Sequence, residues 1–275
     1  MKAAIEIQNL KKDYGDTTAL KDVNITIKDG EFFGLLGPNG AGKTTTINIL
    51  TGLVRKNEGV AKIFGKDIIS DYRFTRAQVG ISAQDFTQDW FFPLDKLLFF
   101  QAGYYGITKD KAKDKVDELL SRLGLEEKRN SRLRQLSGGM RRRFQIAKAL
   151  VHDPKILILD EPTAGVDVEL RHELWKYFKE LHTAGKTILL TTHYIEEAEM
   201  LCDKVAIIDK GKVIKEGSPK SLTSQSGKSG ININLSDTDI NLDPILRGFT
   251  YTNNDGRLHF TTQEPEETLP IIINL

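Results

Sequence analysis

The chain has 275 residues, 39% of them apolar, with 39 Lys and Arg against 38 Asp and Glu, for a formal net charge of +1. That length accommodates one large domain and a small one, and the composition supports an ordinary globular core. The charge balance gives no electrostatic case for a nucleic-acid binder. One cysteine, Cys202, excludes an internal disulfide and fits a reducing cytoplasm. No apolar run approaches the ~20 residues that span a bilayer.

The first residues, Met1-Lys2-Ala3-Ala4-Ile5-Glu6-Ile7, alternate like a strand and lack the apolar core of a signal peptide. Residues 3–9, 22–28 and 60–64 are expected to form an N-terminal antiparallel sheet beside a catalytic one. Phe32-Phe33-Gly34-Leu35-Leu36 is apolar. It runs into Gly37-Pro38-Asn39-Gly40-Ala41-Gly42-Lys43-Thr44, and Thr45-Thr46-Ile47-Asn48-Ile49-Leu50 then starts a helix. Strand, GxxxxGKT and helix in that order make a polyphosphate site. The glycines free the backbone, whose N–H groups turn in on the β-phosphate with the positive end of the helix behind them. Lys43 reaches the β- and γ-phosphates, Thr44 offers a hydroxyl to Mg²⁺, and Thr45 bonds the α-phosphate.

Residues 85–150 are expected to be mainly helical, and Lys109–Leu123 has helical spacing around Val116, Leu119, Leu120 and Leu123. Phe86-Thr87-Gln88-Asp89-Trp90-Phe91-Phe92-Pro93-Leu94 is dense in aromatics. It reads either as core of a helical subdomain or as a docking groove. Leu136-Ser137-Gly138-Gly139 leads a helical stretch, so Ser137 and the two glycines present a helix N-terminus, an anion site. The run Arg141-Arg142-Arg143 is expected to be a solvated face of that helix. Ile156-Leu157-Ile158-Leu159 is apolar without alternation, as in a parallel strand covered on both faces. Asp160 at its end suits Mg²⁺, and Glu161 suits the base or water-orienting carboxylate of hydrolysis. A further buried strand, Lys186-Thr187-Ile188-Leu189-Leu190-Thr191-Thr192-His193, sets His193 at the same carboxyl edge, within reach of a γ-phosphate and Glu161.

Near residue 217 the composition changes. Residues 1–220 are assigned to the main domain, 221–230, rich in Ser and Gly, to a linker, and 231–275 to a small α+β accessory domain. Ile231-Asn232-Ile233-Asn234-Leu235 alternates as a strand, and residues 249–253 and 257–261 read as a hairpin around Asn254-Asp255-Gly256. The apolar end, Ile271-Ile272-Ile273-Asn274-Leu275, is read as a truncated or shortened tail.

Taken together, these segments resemble the ATP-binding-cassette ATPases over residues 1–220. Leu136-Ser137-Gly138-Gly139-Met140 looks like that family's signature, and every motif stands in family order. The wording of residues 136–143, 161–167 and 191–199 is similar to the ABC-2-type exporter branch, and Gln101-Ala102-Gly103-Tyr104-Tyr105-Gly106 to its YadG-like members. The resemblance implies an α/β P-loop NTPase fold: a central, mostly parallel sheet, an N-terminal antiparallel β-subdomain and an inserted helical subdomain. It implies ATP and Mg²⁺ as cofactors. Tyr14 then stacks on adenine, Gln84 senses Mg²⁺ and nucleotide in catalysis, Ala164-Gly165-Val166-Asp167 is the D-loop, and His193 is the switch histidine. Ser137, Gly138 and Gly139 serve the ATP of a partner subunit in a homodimer. Met140 and Val166 stand where many cassettes have Gln and Leu; the first puts a side-chain contact across the dimer in question. A separate membrane permease is implied, with this chain on the inner face of the cell membrane. Two other readings are a non-transport cassette acting on ribosomes or nucleic acid, and a P-loop kinase. The first usually needs tandem cassettes or a long coiled coil, and the second leaves Ser137-Gly138-Gly139 and His193 without a purpose.

Overall fold

The structure is a computed structural model that describes residues 2–83, 91–225, 229–234, 250–254 and 257–262. The chain divides into two compact units, residues 1–219 and 220–275.

In the first unit β1 (Ala3–Tyr14) and β2 (Thr17–Lys28) pair antiparallel. Val23, Ile25 and Ile27 of β2 turn inward with the period-two pattern of a sheet with one wet face, and Leu20 is buried beyond a register shift in the pairing. Then follow β3 (Phe32–Leu36), α1 (Lys43–Leu50), β4 (Glu58–Ile63), β5 (Lys66–Asp67), α2 (Tyr72–Ala77) and β6 (Val79–Ser82). Helices α3 (Leu94–Tyr104), α4 (Lys109–Arg122) and α5 (Gly138–Leu150) come next, and β7 (Ile156–Asp160), α6 (Val168–Thr183), β8 (Thr187–Thr192), α7 (Ile195–Leu201), β9 (Lys204–Asp209) and β10 (Lys212–Gly217) complete the unit. One sheet has the order β2-β1-β4-β5, and the other β10-β9-β3-β8-β7-β6.

The second sheet is the one that carries the phosphate loop after β3 and the Asp160 and His193 strand ends. β9, β3, β8, β7 and β6 run parallel, with β10 antiparallel at the edge. Every residue of β7 and β8 is buried, which is why these strands read as unbroken apolar or Thr-rich runs. One apolar cluster joins Ile5, Ile7 and Leu20 of the first sheet, Phe33, Leu35 and Ile158 of the second, and Ile47 and Ile49 of α1. From β3 the chain crosses to β6 at the far edge, returns through β7 and β8, and passes to β9 on the other side. The reversal places the carboxyl ends of β3, β7 and β8 side by side, where open α/β sheets hold ligands.

Helices α3, α4 and α5 lie between residues 94 and 150. Gln84 and residues 85–90 of the aromatic segment lie outside the described residues. Of the remainder, Leu94 is buried, while Phe92 is exposed and meets Phe100 edge-on, 5.2 Å between ring centroids. The end of α3 is tied to the core by a ring pair, Tyr105 stacked on His152 at 3.6 Å, and His152 Nε2 lies 3.1 Å from the Val79 carbonyl. Burial pushes the His152 imidazole down from 6.5 to about 4, although the Val79 carbonyl favours the protonated ring. A depressed histidine contributes stability above its ordinary value and loses it as pH falls through its folded value. Denaturant midpoints of the native chain should thus decline between pH 6.5 and about 4. His152→Phe keeps a stacking ring, forgoes the Val79 contact, and should flatten that part of the profile; an unchanged slope would count against the assignment.

In the second unit, α8 (Pro219–Gln225) begins at its boundary, and β11 (Ser229–Asn234), β12 (Thr250–Asn254) and β13 (Arg257–Thr262) form an antiparallel sheet in the order β11-β13-β12. The Ser- and Gly-rich stretch 221–230 thus carries most of a helix and the start of a strand. Pro at the first helical position explains the start, because its missing N–H is not needed there. Residues 263–275, with the apolar end, lie outside the described residues. Among the described residues no helix is long and apolar enough to cross a membrane.

Candidate active site

The loop after β3 is shaped by close approach as much as by backbone angle. A Cβ on Gly37 would stand 2.2 Å from the Ile208 carbonyl oxygen, so β9 leaves no room for a side chain. Gly42 has φ +111°, in the left-handed region, and a Cβ there would stand 2.6 Å from Leu20 Cδ2. These constraints bring the loop round to α1, which starts at Lys43. Its first turn is therefore aimed into a cavity of about 240 Å³, lined by Ala19, Pro38, Asn39, Gly40, Gly42, Lys43, Thr44, Thr45 and Glu161. Ala41 is buried behind the loop, and its carbonyl accepts from Gly211 N. Two larger clefts, about 660 and 360 Å³, lie along α6 and hold no phosphate loop, so size alone does not locate the site.

Lys43 is buried, and its ammonium donates to the carbonyls of Gly37 at 2.7 Å and Pro38 at 3.2 Å. It also lies 3.3 Å from Glu161 Oε1, and the same oxygen is 3.4 Å from His193 Nδ1. Two segments 32 residues apart in sequence meet there because β7 and β8 are neighbours in register, with Asp160 opposite Thr191. Glu161 has φ +48°, a left-handed conformation unusual for a residue with a Cβ. Such strain, of order 1–3 kcal/mol, persists only where surrounding bonds hold it. Here Glu161 N donates to Thr191 O at 3.1 Å and faces Thr191 Oγ1 at 3.2 Å.

Asp160 accepts from Thr191 Oγ1 on one oxygen and from Thr44 Oγ1, at 3.4 Å, on the other. Burial pushes its carboxyl above the usual carboxylate range and the Glu161 charge adds to this; the Thr191 and Thr44 hydroxyls and Arg142 act the other way. Thr44 Oγ1 and Asp160 Oδ2 are a pair of hard oxygen donors beside the cavity. No group of three or more His, Cys, Asp or Glu able to hold a metal occurs among the described residues. That donor set fits Mg²⁺, which takes one or two protein oxygens and draws its other ligands from phosphate and water.

The structure thus brings together residues 37–45, Asp160, Glu161 and His193. Tyr14 does not line the cavity: it ends β1, is 47% exposed, and has Lys12 Nζ 4.8 Å from its ring centroid. Ser137, Gly138 and Gly139 are also absent from the lining. Ser137 caps α5, its Oγ accepting from Met140 N at 3.2 Å, and Gly139 passes so close to Leu170 that a Cβ would stand 2.5 Å away.

Arg142 departs from the expected solvated run. It is 5% exposed, and its guanidinium donates to the carbonyls of Ala83, Asp160, Glu161 and Pro162 and to Gln145 Oε1. The physical reason is that α5 is buried on most of its surface, so a long cation in its first turns finds backbone carbonyls in place of water. Burial pulls the Arg142 pKa down, opposed by the charges of Asp160, Glu197 and Glu161. Glu197 is equally hidden and accepts from Thr163 Oγ1 at 2.9 Å and Trp175 Nε1 at 3.1 Å. The sequence patterns give Arg142 only a solvated role and give Glu197 and Thr191 none.

Comparison with known proteins agrees with this geometry. The family model described as "ABC transporter" matches residues 20–164. Nod factor export ATP-binding protein I of Paraburkholderia xenovorans (strain LB400) is 43% identical over 220 residues, covering 80% of this chain and 72% of that protein. Among solved structures, cbiO1 from Clostridium perfringens, part of the ABC transporter complex cbiONQ, superposes with a TM-score of 0.73 at 33% identity, over 82% of this chain and 92% of that one. A dimeric post-hydrolysis ATP-binding cassette bound to ADP and Pi gives 0.72 at 28% identity, over 78% and 98%. The two central motifs, the fold that joins them and these similarities agree, and the chain belongs to the ABC transporter family, as an ATP-binding ATPase.

Proposed function

We propose that two copies of this chain close around two ATP molecules and drive a separate membrane permease from the cytoplasmic face of the cell membrane. The observation that carries the reading is the Glu161 oxygen held between Lys43 and His193 at a phosphate-sized cavity. Glu161 accepts a proton from the attacking water as its oxygen bonds to the γ-phosphorus and the bridging bond to ADP breaks. Lys43 and His193 stabilise charge on the γ-phosphoryl oxygens, and the loop N–H groups do so on the β-phosphate. When bound by Thr44, Asp160 and Gln84, Mg²⁺ supplies charge neutralisation at the β- and γ-phosphates. Tyr14, exposed at the end of β1, takes the adenine ring, and Thr45 the α-phosphate.

The pairing is supported by what the cavity lacks. The N-terminus of α5, with Ser137, Gly138 and Gly139, lines no part of this chain's own nucleotide cavity. An anion site so placed serves a second copy's γ-phosphate, and the solved dimeric cassettes that this chain is similar to provide the precedent for such a pair. The permease reading is supported by the export role printed for the similar Nod factor protein. Residues 1–220 act as the cassette, with 85–150 as its helical subdomain, 221–230 as a connection and 231–275 as an accessory domain.

The test is affinity capture of the Glu161→Gln protein with ATP from detergent-solubilised membranes of its host, read by mass spectrometry. Recovery of a multi-span permease is the expected result. Ribosomal proteins or nucleic acid without a permease would overturn the transport reading and leave the ATPase standing.

A further inference from the structure

The buried guanidinium of Arg142 is the group that the hydrolytic reading leaves unused. Its donors go to the Pro162 carbonyl from Nε at 2.8 Å, to Ala83 from Nη1 at 2.8 Å, and to Asp160 from Nη2 at 2.8 Å, with Glu161 O also on Nη2. Gln145, one helical turn further along α5, accepts from Nη1 at 2.9 Å and fixes the orientation of the plane. Three separate pieces of the protein therefore meet at one side chain: the signature helix, the end of β6 just before Gln84, and the catalytic turn after β7.

The turn needs such a holder. The Glu161 backbone is left-handed; its N–H is fixed by Thr191, and its carbonyl accepts from Arg142 and from Ala164 N at 3.2 Å. These anchors together determine where the Cα–Cβ bond points and hence where the carboxylate lies, and Arg142 is the only side chain among those on the carbonyl. Arginine suits the task because its planar fork satisfies several carbonyls at fixed angles, which a lysine ammonium cannot do. The charge matters as well, since Asp160, Glu161 and Glu197 are all buried nearby.

We infer that Arg142 is a positioning residue for hydrolysis, holding the backbone of Glu161 so that its carboxylate meets the attacking water, and that it carries movement of the signature helix to that carboxylate. Ser137 caps the same helix five residues earlier, about 7.5 Å along the axis at the usual rise. In the proposed dimer that end holds the partner's ATP. The state of one nucleotide is then felt at the base serving the other, through about one and a half turns of a rigid helix. The inference rests on Glu161 being the base in the proposed function.

The experiment compares Arg142→Lys, which keeps the charge and loses the fork, with Glu161→Gln and with the double variant. Each is measured for kcat, KM, ATP affinity by calorimetry, and melting temperature. Arg142→Lys should lower kcat roughly 10–100-fold while ATP affinity stays within about twofold, because a displacement of about 1 Å at a reacting group is worth up to that much. In the Glu161→Gln background the same substitution should add no further loss. A merely structural residue would lower both backgrounds alike, so additive losses overturn the inference, as does native kcat in Arg142→Lys. Loss of ATP binding or of the folded state in Arg142→Lys also overturns it, by making the role structural. Should Glu161→Gln itself hydrolyse like the native chain, it is the underlying reading of Glu161 that fails.

Discussion

Glu161→Gln should slow phosphate release by roughly 10²–10⁴-fold, the range for loss of a general base, while leaving ATP binding intact. The substitution preserves volume at a buried side chain, and the amide oxygen can still accept from Lys43 at the observed 3.3 Å. It removes the second carboxylate oxygen and with it the capacity to take a proton from water. Binding in the proposed site rests on other groups: the loop N–H donors, Lys43 and Thr44. With hydrolysis blocked and binding intact, ATP-bound pairs should accumulate. Size-exclusion chromatography with ATP should move the variant to twice the monomer mass, whereas the native protein returns to monomer as ATP is consumed. Native-like turnover in a folded variant would falsify the assignment of Glu161. Slow turnover without dimer would keep the base and remove the pairing.

The sequence reveals the parts of this site whose chemistry is contiguous and conceals those made by register and burial. Residues 37–44 could be read because a phosphate loop needs a strand, glycines and a helix start in one continuous segment. Asp160 and Glu161 could be read because the fully buried strand before them has no alternation. Thr191 was hidden because its role depends on β8 lying beside β7 in one register, with Asp160 opposite it. Arg142 was misread for a related reason. In isolation Arg141-Arg142-Arg143 is a solvated face, but Gln145, Ile146 and Ala149 continue one stripe from Arg142 at helical spacing, and all are buried. That stripe was the available signal. The N-terminal sheet was legible as strands, but at 3–9 and 22–28 the sequence reading stopped short of β1 and β2, which extend as a hairpin to a turn after Tyr14. Lys12 and Asp13 still pair with Leu20 and Thr18 across it. Polar residues on a wet sheet face give no reason to continue a strand, yet backbone pairing does so without them. Gln84, the remaining expected ligand, lies outside the described residues.

Lys43→Ala should lower ATP affinity by roughly 10²–10³-fold, as two charge-assisted hydrogen bonds to phosphate are lost at about 1.5–3 kcal/mol each against the cost of desolvating the amine. The same change has a second effect that calorimetry alone would confuse with the first. Lys43 and Glu161 form an ion pair that is 4% and 7% exposed, and removing one member leaves a buried charge without its partner. Apo stability should therefore fall as well, and a part-unfolded sample would bind weakly for a trivial reason. Lys43→Ala combined with Glu161→Gln separates the two. It removes both charges, so stability should recover toward native, while the phosphate still lacks its ammonium and affinity stays low. Thermal melting and isothermal titration on the same preparations read both quantities. Recovery of stability with persistently weak binding identifies Lys43 as a phosphate ligand. Recovery of both would mean that its contribution is to the fold and that the loop N–H groups alone hold the nucleotide. The geometry favours the first outcome: the ammonium lines the cavity and is oriented there by the Gly37 and Pro38 carbonyls.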